Sequence, residues 1–352
     1  MNRYWSDKLD LLTPYEAGEQ PQDKLYIKLN TNENPYAPSE SVLNAIRAVT
    51  ADQLRLYPDA KSYKLREVIA KSYSINIDNV FVGNGSDEIL GLAFQAFFKK
   101  RNRICFPDIT YSFYPVYCRL FDIDYQTFPL TDLFEIKVQL IQDNNSGVVI
   151  ANPNAPTGLS LECSQIEEIL ETHSNSVVLV DEAYVDFGAE SCVQLIKKYP
   201  NLVVVQTLSK SRSLAGLRVG LAIADVELIQ GINKVKNSFN AYPLDCLAIA
   251  GATAAFNDMD TFLKNNQQVI ETREWTSKEL KKLSFYVIPS KSNFLLVQHK
   301  DFLAKNLYLK LKDEGILIRH FEMPRINNFI RVTIGTKSEM QTFIKTLQKI
   351  IA

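Results

Sequence analysis

Val177-Val178-Leu179-Val180, followed at once by Asp181-Glu182-Ala183-Tyr184, and Leu202-Val203-Val204-Val205, followed by Thr207-Leu208-Ser209-Lys210, decide how this chain folds. Each opens on a short β-branched or aliphatic run with no polar alternation. Such runs read as strands buried on both faces, the pattern of a parallel sheet covered by helices. Working outward, similar runs occur at Val80-Phe81-Val82, Arg103-Ile104-Cys105-Phe106, Gly147-Val148-Val149-Ile150-Ala151 and Val219-Gly220-Leu221-Ala222-Ile223. Helical patterns fall at about 39–50 and 62–74, then between the strands at about 86–99, 111–120 and 162–171. The fold class is therefore α/β, with a mainly parallel sheet and helices on both faces. After a helical stretch around 242–283 the chain changes character. Strands at about 293–297 and 328–334, with helices at about 302–313 and 337–350, predict a smaller α+β domain. Pro14, Pro21, Pro35 and Pro38 punctuate the start, which reads as an extended arm.

The chain has 352 residues, 46% hydrophobic and 22% charged, which excludes disorder and fits two globular domains. The 39 basic and 40 acidic residues leave a net charge of −1, so nothing favours nucleic acid or an anionic membrane as partner. Cys105, Cys118, Cys163, Cys192 and Cys246 are widely spaced and odd in number, and no CxxC occurs. His173, His299 and His320 lack ligand spacing as well. No metal site is expected, and a reducing cytoplasm fits best. The N-terminus has no signal-peptide pattern and no stretch is long and apolar enough to span a membrane.

Ligands of parallel sheets gather outside the carboxyl ends of the strands. After the first strand comes Gly83-Asn84-Gly85-Ser86-Asp87-Glu88, opening a helix. A glycine turn there offers backbone N–H groups and a positive dipole end to a phosphate, although a helix merely capped by Ser86 explains the same letters. Asp181 ends a buried apolar strand, where a carboxylate is costly unless a cation or donors meet it; a cap or a Mg²⁺ ligand is the alternative. Lys210 follows a strand among small hydroxylated residues and is a candidate amine nucleophile, or a surface lysine. Together, a phosphate cradle, an acid for a ring nitrogen and an amine are the protein parts that pyridoxal phosphate requires.

With those residues in place, the sequence resembles the fold-type I, pyridoxal-phosphate-dependent aminotransferases of class I/II, and among them the histidinol-phosphate aminotransferase family. The resemblance runs from about Pro14 to the C-terminus. Its motifs are Thr13-Pro14-Tyr15, Asn30-Thr31-Asn32-Glu33-Asn34-Pro35, Leu56-Tyr57-Pro58, Gly83-Asn84-Gly85-Ser86-Asp87-Glu88, Asn152-Pro153-Asn154-Ala155-Pro156-Thr157-Gly158, Asp181-Glu182-Ala183-Tyr184, Thr207-Leu208-Ser209-Lys210, Ala215-Gly216-Leu217-Arg218-Val219-Gly220 and Arg331-Val332-Thr333-Ile334-Gly335-Thr336. It implies a seven-stranded large domain at 30–262, a small C-terminal domain at 263–352, and an N-terminal arm at 1–29 associated with the small domain.

The same resemblance implies roles. Lys210 would carry pyridoxal 5'-phosphate through its amine and then move the substrate proton. Asp181 would face the pyridine nitrogen, Tyr184 would donate to the ring hydroxyl oxygen, and Tyr111 would stack on the ring. Gly85, Ser86 and Asp87 (the last through its backbone N–H) would bind the phosphate, assisted by Ser209 and Arg218. Tyr57 would cross to the neighbouring subunit's phosphate, making the protein a homodimer. The family commonly has Asn directly before Pro-Thr-Gly, and here Ala155 stands there, so Asn154 is carried only as a cofactor contact in its place or as a turn residue. Arg212, close to Lys210 in sequence, would either depress the Lys210 pKa or lie on a solvated face. Tyr15, Asn32, Arg319 and Arg331 are the substrate-facing candidates, each Arg set in an apolar strand and in want of an anion.

The implied reaction is transamination of L-histidinol phosphate with 2-oxoglutarate in histidine biosynthesis. An aromatic-amino-acid aminotransferase or a threonine-phosphate decarboxylase on the same scaffold is the alternative. A cofactor-sensing regulator would need a DNA-binding domain that a 29-residue arm cannot hold. A dinucleotide site is disfavoured because Glu88 stands where the third glycine of that fingerprint belongs.

Overall fold

The computed structural model describes residues 3–98, 103–141 and 147–352. Met1 and Asn2 of the arm, and Lys99 at the end of one expected helix, lie outside the described residues. In chain order the strands are β1 (Ile27–Lys28), β2 (Val80–Asn84), β3 (Ile104–Pro107), β4 (Tyr125–Phe128), β5 (Gly147–Ala151), β6 (Val178–Asp181), β7 (Leu202–Thr207), β8 (Val219–Ala224), β9 (Phe285–Val287), β10 (Phe294–His299), β11 (Ile316–Leu317), β12 (Arg319–His320) and β13 (Ile330–Thr333).

A seven-stranded sheet has the order β2-β8-β7-β6-β5-β3-β4. Neighbours from β4 through β7 are parallel, and β8 runs antiparallel to both β7 and β2. The continuous apolar runs follow from burial on both sides. Val148, Ile150, Val178, Val180 and Val204 face one core layer, while Val149, Leu179, Val203 and Val205 face the other. The reversed direction of β8 has a local cause. Only a loop with one short 3-10 turn, Ala215–Leu217, joins it to β7, too little for a crossover helix. β4 was invisible as a strand run because it is an edge: Tyr125, Gln126 and Thr127 are exposed and only Phe128 is buried. The helix Val226–Phe239, capped by the Asp225 carboxylate accepting from the Glu227 N–H, adds to the elements expected from the pattern.

A second, four-stranded antiparallel sheet has the order β12-β13-β10-β9. Leu295, Val297, Val332, Phe343 and Leu347 share its core with the helices Met259–Lys282 and Lys337–Ile351. β1 pairs in parallel with β11, and the chain then runs on beside β13, where the Thr333 N–H donates to the Leu29 carbonyl at 3.0 Å. The Gly315–Arg319 run is not one strand. β11 stops at Leu317, and Arg319 opens β12 directly opposite Arg331 on β13.

Candidate active site

The carboxyl ends of β5, β6 and β7, the start of the helix Gly85–Phe97, and β12–β13 enclose a cavity of about 680 Å³. Tyr15, Asn32, Ser86, Asp87, Tyr111, Asp181, Tyr184, Ser209, Lys210, Arg218, Arg319 and Arg331 all line it. Elements more than 300 residues apart in sequence thus meet in one space.

One end is built for an anion. Gly85 has φ +78, a left-handed conformation that suits glycine, and a Cβ there would lie 2.5 Å from Arg218 Nη2. Gly220 on β8 lets that strand approach so closely that a Cβ would sit 2.5 Å from the Ser86 nitrogen. The helix is not capped by Ser86. The Glu88 carboxylate accepts from the Asn84 N–H at 2.6 Å, and Ser86 stands in the first turn facing the cavity. Arg218 donates to Asp87 Oδ2 at 3.1 Å and to Ser209 Oγ at 3.4 Å, and the Tyr111 hydroxyl donates to Asp87 Oδ1 at 3.0 Å. The Asp87 side chain is therefore occupied by protein donors and its carbonyl accepts from the Tyr117 hydroxyl at 2.8 Å, which leaves its backbone N–H to a ligand.

At the centre, Asp181 is 5% exposed. Burial pushes its carboxyl up to about 6, against the opposing effects of the Tyr114 hydroxyl, donating at 2.9 Å, and the Ala183 N–H, donating at 3.2 Å. Lys210 Nζ donates to the Thr31 carbonyl at 3.0 Å. Burial brings its pKa down to about 8; Glu33 opposes the shift, and Arg331 and Arg218 reinforce it. The Tyr184 ring meets Phe294 edge-on at 5.1 Å, and its oxygen accepts from Asn32 Nδ2 at 3.0 Å.

The far end holds two cations side by side. Arg331 Nη2 donates to the Asn30 carbonyl at 2.9 Å, while its buried Nε has no partner among the described residues. Arg319 pairs with it across the strands, an arrangement of like charges that is unfavourable without an anion between them. Tyr15 stacks on Phe113 at 4.8 Å along the wall.

Of its two expected roles, Asn154 fills that of the turn residue, and it does not line the cavity. Its amide donates to the Ile109 carbonyl and the Thr157 hydroxyl and accepts from Thr110, so its side chain is spent on the turn, and Ala155 rather than Asn154 faces the cavity. Arg212 is half-buried and is not among the leading charges that act on the Lys210 amine: it lies between Phe256 and Phe262, 3.9 and 4.1 Å from their ring centroids, and donates to the Ala255 carbonyl. Tyr57, expected to cross to a neighbouring subunit, is 82% exposed and stacks on Tyr242. Sequence reasoning also missed Tyr114, Glu33, the Thr31 carbonyl and Thr333. Thr31, Glu33 and Thr333 lie inside the quoted motifs and Tyr114 does not, but none was given a role, because the groups they act on at the site, Lys210, Asn32 and Asp181, come from distant segments.

The comparisons agree with this geometry. The model of the family "Aminotransferase class I and II" matches residues 24–347. The chain is 50% identical over 351 residues to a histidinol-phosphate aminotransferase of Clostridium botulinum, covering 100% of this chain and 99% of that one. It is 51% identical over 352 residues to histidinol-phosphate aminotransferase 1 of Methylococcus capsulatus, with the same coverage. In fold it resembles the crystal structure of histidinol-phosphate aminotransferase from Sinorhizobium meliloti in complex with pyridoxal-5'-phosphate, with a TM-score of 0.90 at 22% identity over 100% of this chain and 98% of that one. A cavity with an amine, a buried acid and an anion cradle at the strand ends of a mainly parallel sheet, together with a family match across most of the sequence, leads to one assignment: the chain belongs to the class I and II aminotransferases.

Proposed function

We propose that this enzyme moves an amino group between L-histidinol phosphate and 2-oxoglutarate, giving imidazole acetol phosphate and glutamate, with pyridoxal 5'-phosphate as its cofactor. The observation that carries the chemistry is the convergence of Lys210, Asp181 and the Gly85–Asp87 helix start on one cavity. Histidinol phosphate as substrate is supported by the names of relatives 50% and 51% identical over the whole chain.

The residues fit the cofactor. Gly85 and Gly220 let Arg218 and β8 pack closely against the first turn of the helix, and Arg218 and Ser209 add donors there. Asp181 is a buried acid raised toward neutrality, and a cationic ring N–H beside it would return it to the carboxylate range and offset its burial. When bound, pyridoxal phosphate supplies an aldehyde that captures amines and a ring that accepts the electron pair of a broken Cα–H bond.

Lys210 supplies the amine and the proton transfer. With a pKa near 8, a useful share of Nζ is neutral at physiological pH. Nζ would hold the cofactor and, once freed by the substrate amine, would take the Cα proton and give it back on the cofactor side of the amino nitrogen. Asp181 would keep a proton on the ring nitrogen. Arg331 and Arg319 orient the substrate anion, phosphate in one half-reaction and carboxylate in the other, since a guanidinium fork accepts either. The like-charge pairing of the two arginines and the unpartnered Arg331 Nε support that assignment.

A homodimer in which Tyr57 reaches the partner's phosphate is part of the proposal. Leu54, Leu56, Tyr57, Tyr63, Phe239 and Tyr242 are all exposed, an apolar grouping on the stretches 54–63 and 239–242, joined by the Tyr57–Tyr242 stack, that a second copy would cover. We place the enzyme in the cytoplasm. The odd number and wide spacing of its five cysteines support this.

The deciding experiment is a coupled assay of the purified protein with pyridoxal phosphate and 2-oxoglutarate, comparing histidinol phosphate, phenylalanine and threonine phosphate. Preference for histidinol phosphate is expected. Turnover of phenylalanine alone, or carbon dioxide release from threonine phosphate, would redirect the assignment.

A further inference from the structure

The Asn32 backbone N–H donates to Thr333 Oγ1 at 3.0 Å. Having accepted that bond, the Thr333 hydroxyl donates to Asn32 Oδ1 at 2.8 Å. The amide of Asn32 is thereby oriented with Nδ2 toward Tyr184, whose oxygen accepts at 3.0 Å. The backbone N–H can only donate, so it occupies one lone pair of Thr333 Oγ1; the hydroxyl's single proton is given to Asn32 Oδ1, which leaves Nδ2 for Tyr184. The residues are well held. Asn32 and Thr333 are 1% and 2% exposed, Asn32 adopts φ +59, a conformation asparagine tolerates, and Asn293 Nδ2 donates to the Asn32 carbonyl at 2.9 Å.

We infer that Thr333 and Asn32 are positioning residues that aim the Tyr184 hydroxyl proton into the active-site cavity. Because the Tyr184 oxygen already receives the Asn32 amide, its own proton must point away from Asn32. Without the Thr333 hydroxyl the amide is free to turn, present Oδ1 to the phenol and draw that proton back. Asn32 thus acts through Tyr184 rather than on substrate. The device also ties two functions to one strand: Arg331 and Thr333 lie two residues apart on the same face of β13, one fastened to Asn30 and the other to Asn32.

This inference deepens the proposed function and rests on it for the target of the proton, the ring oxygen of pyridoxal phosphate. An O–H aimed at that oxygen stabilises its anionic form and weakens its hold on the proton of the covalent link to Lys210. Losing the donor therefore raises the pH at which the visible absorption of the loaded enzyme titrates. The charged groups that act on the Tyr184 phenol are Arg331, Asp181 and Asp87, and Lys210 Nζ lies 6.0 Å from its ring centroid; Thr333→Val alters none of these side chains.

The test titrates that absorption in the enzyme loaded with pyridoxal phosphate. Thr333→Val is expected to raise the midpoint by about half a unit to one unit, the size of one hydrogen bond. Thr333→Ser, which keeps the hydroxyl, should titrate as the parent does. In a Tyr184→Phe background Thr333→Val should have no effect, because the relay then has no endpoint. An unmoved midpoint in folded Thr333→Val, or an equal shift without the Tyr184 hydroxyl, overturns the inference. Should Thr333→Val not fold, Thr333→Ala replaces it in the same cycle: it too lacks the hydroxyl, adds no charge, and should raise the midpoint only when the phenol is present. In the cofactor-free protein, the ¹³Cζ resonance of Tyr184, recognised by its loss in Tyr184→Phe, should move in Thr333→Val and return in Thr333→Ser. A parent that takes up no cofactor would count against the functional reading, and this resonance would still decide the relay.

Discussion

An ammonium group removed from water gives up its proton more readily, and Lys210 sits deep enough for that effect to outweigh the negative charge of Glu33. Capture of pyridoxal phosphate by the cofactor-free protein, followed by absorbance, should therefore accelerate with a midpoint near pH 8. Glu33→Gln should move that midpoint lower, since Glu33 favours the charged amine. A midpoint near about 10, the value of a solvated lysine, would show the amine to be wet. The second residue-scale prediction concerns Tyr114, one of two donors to the Asp181 carboxylate. Tyr114→Phe removes a bond to the ionised form and lets burial push Asp181 higher. Turnover should fall about ten- to hundredfold, the worth of a hydrogen bond to a charged group, while the phosphate end keeps the cofactor through dialysis. Unchanged turnover would show that Ala183 alone suffices.

At the scale of elements, the anion cradle depends on how closely β8 approaches the start of the helix Gly85–Phe97. A Cβ on Gly220 would lie 2.5 Å from the Ser86 nitrogen and 2.6 Å from the Gly85 carbonyl carbon, both main-chain atoms that cannot swing aside. Gly220→Ala should destabilise the fold by about 1–3 kcal/mol, as overpacking does, and should weaken cofactor retention as well. Denaturation with and without pyridoxal phosphate separates the two effects. Gly216, with nothing within 4 Å of a Cβ, is the matched control, and Gly216→Ala should retain the cofactor like the parent. Equal retention in both variants would place the phosphate elsewhere. The antiparallel insertion of β8 is what brings Gly220 to this position, so the one reversed strand of the sheet bears directly on the site.

At the scale of the whole molecule, the proposed homodimer would set the exposed Tyr57 against the site of the second copy. Mixing inactive Tyr57→Phe and Lys210→Ala subunits tests this. In a heterodimer one site collects both defects and the other has neither, so activity should return as subunits exchange. No recovery after verified exchange would confine Tyr57 to a role outside the chemistry.

Much of this was legible in the sequence because it is local. The runs Val177–Val180 and Leu202–Val205 need burial on both faces whatever lies around them, and strand ends in such sheets face the ligand, which singled out Asp181 and Lys210. The family motifs extended the same reading to Arg218 and Arg331. What tertiary structure alone decided are the pairings. Tyr114 meets Asp181 across 67 residues, and Thr333 meets Asn32 across 301. The Asn154 amide faces Thr110 and Ile109 instead of the cavity, and Arg212 lies between two phenylalanines. Backbone preference and side-chain periodicity act over a few neighbouring residues, so they determine which segments become strands and helices. The partner of a buried donor or cation is chosen by packing between distant segments, and no window of sequence contains that choice.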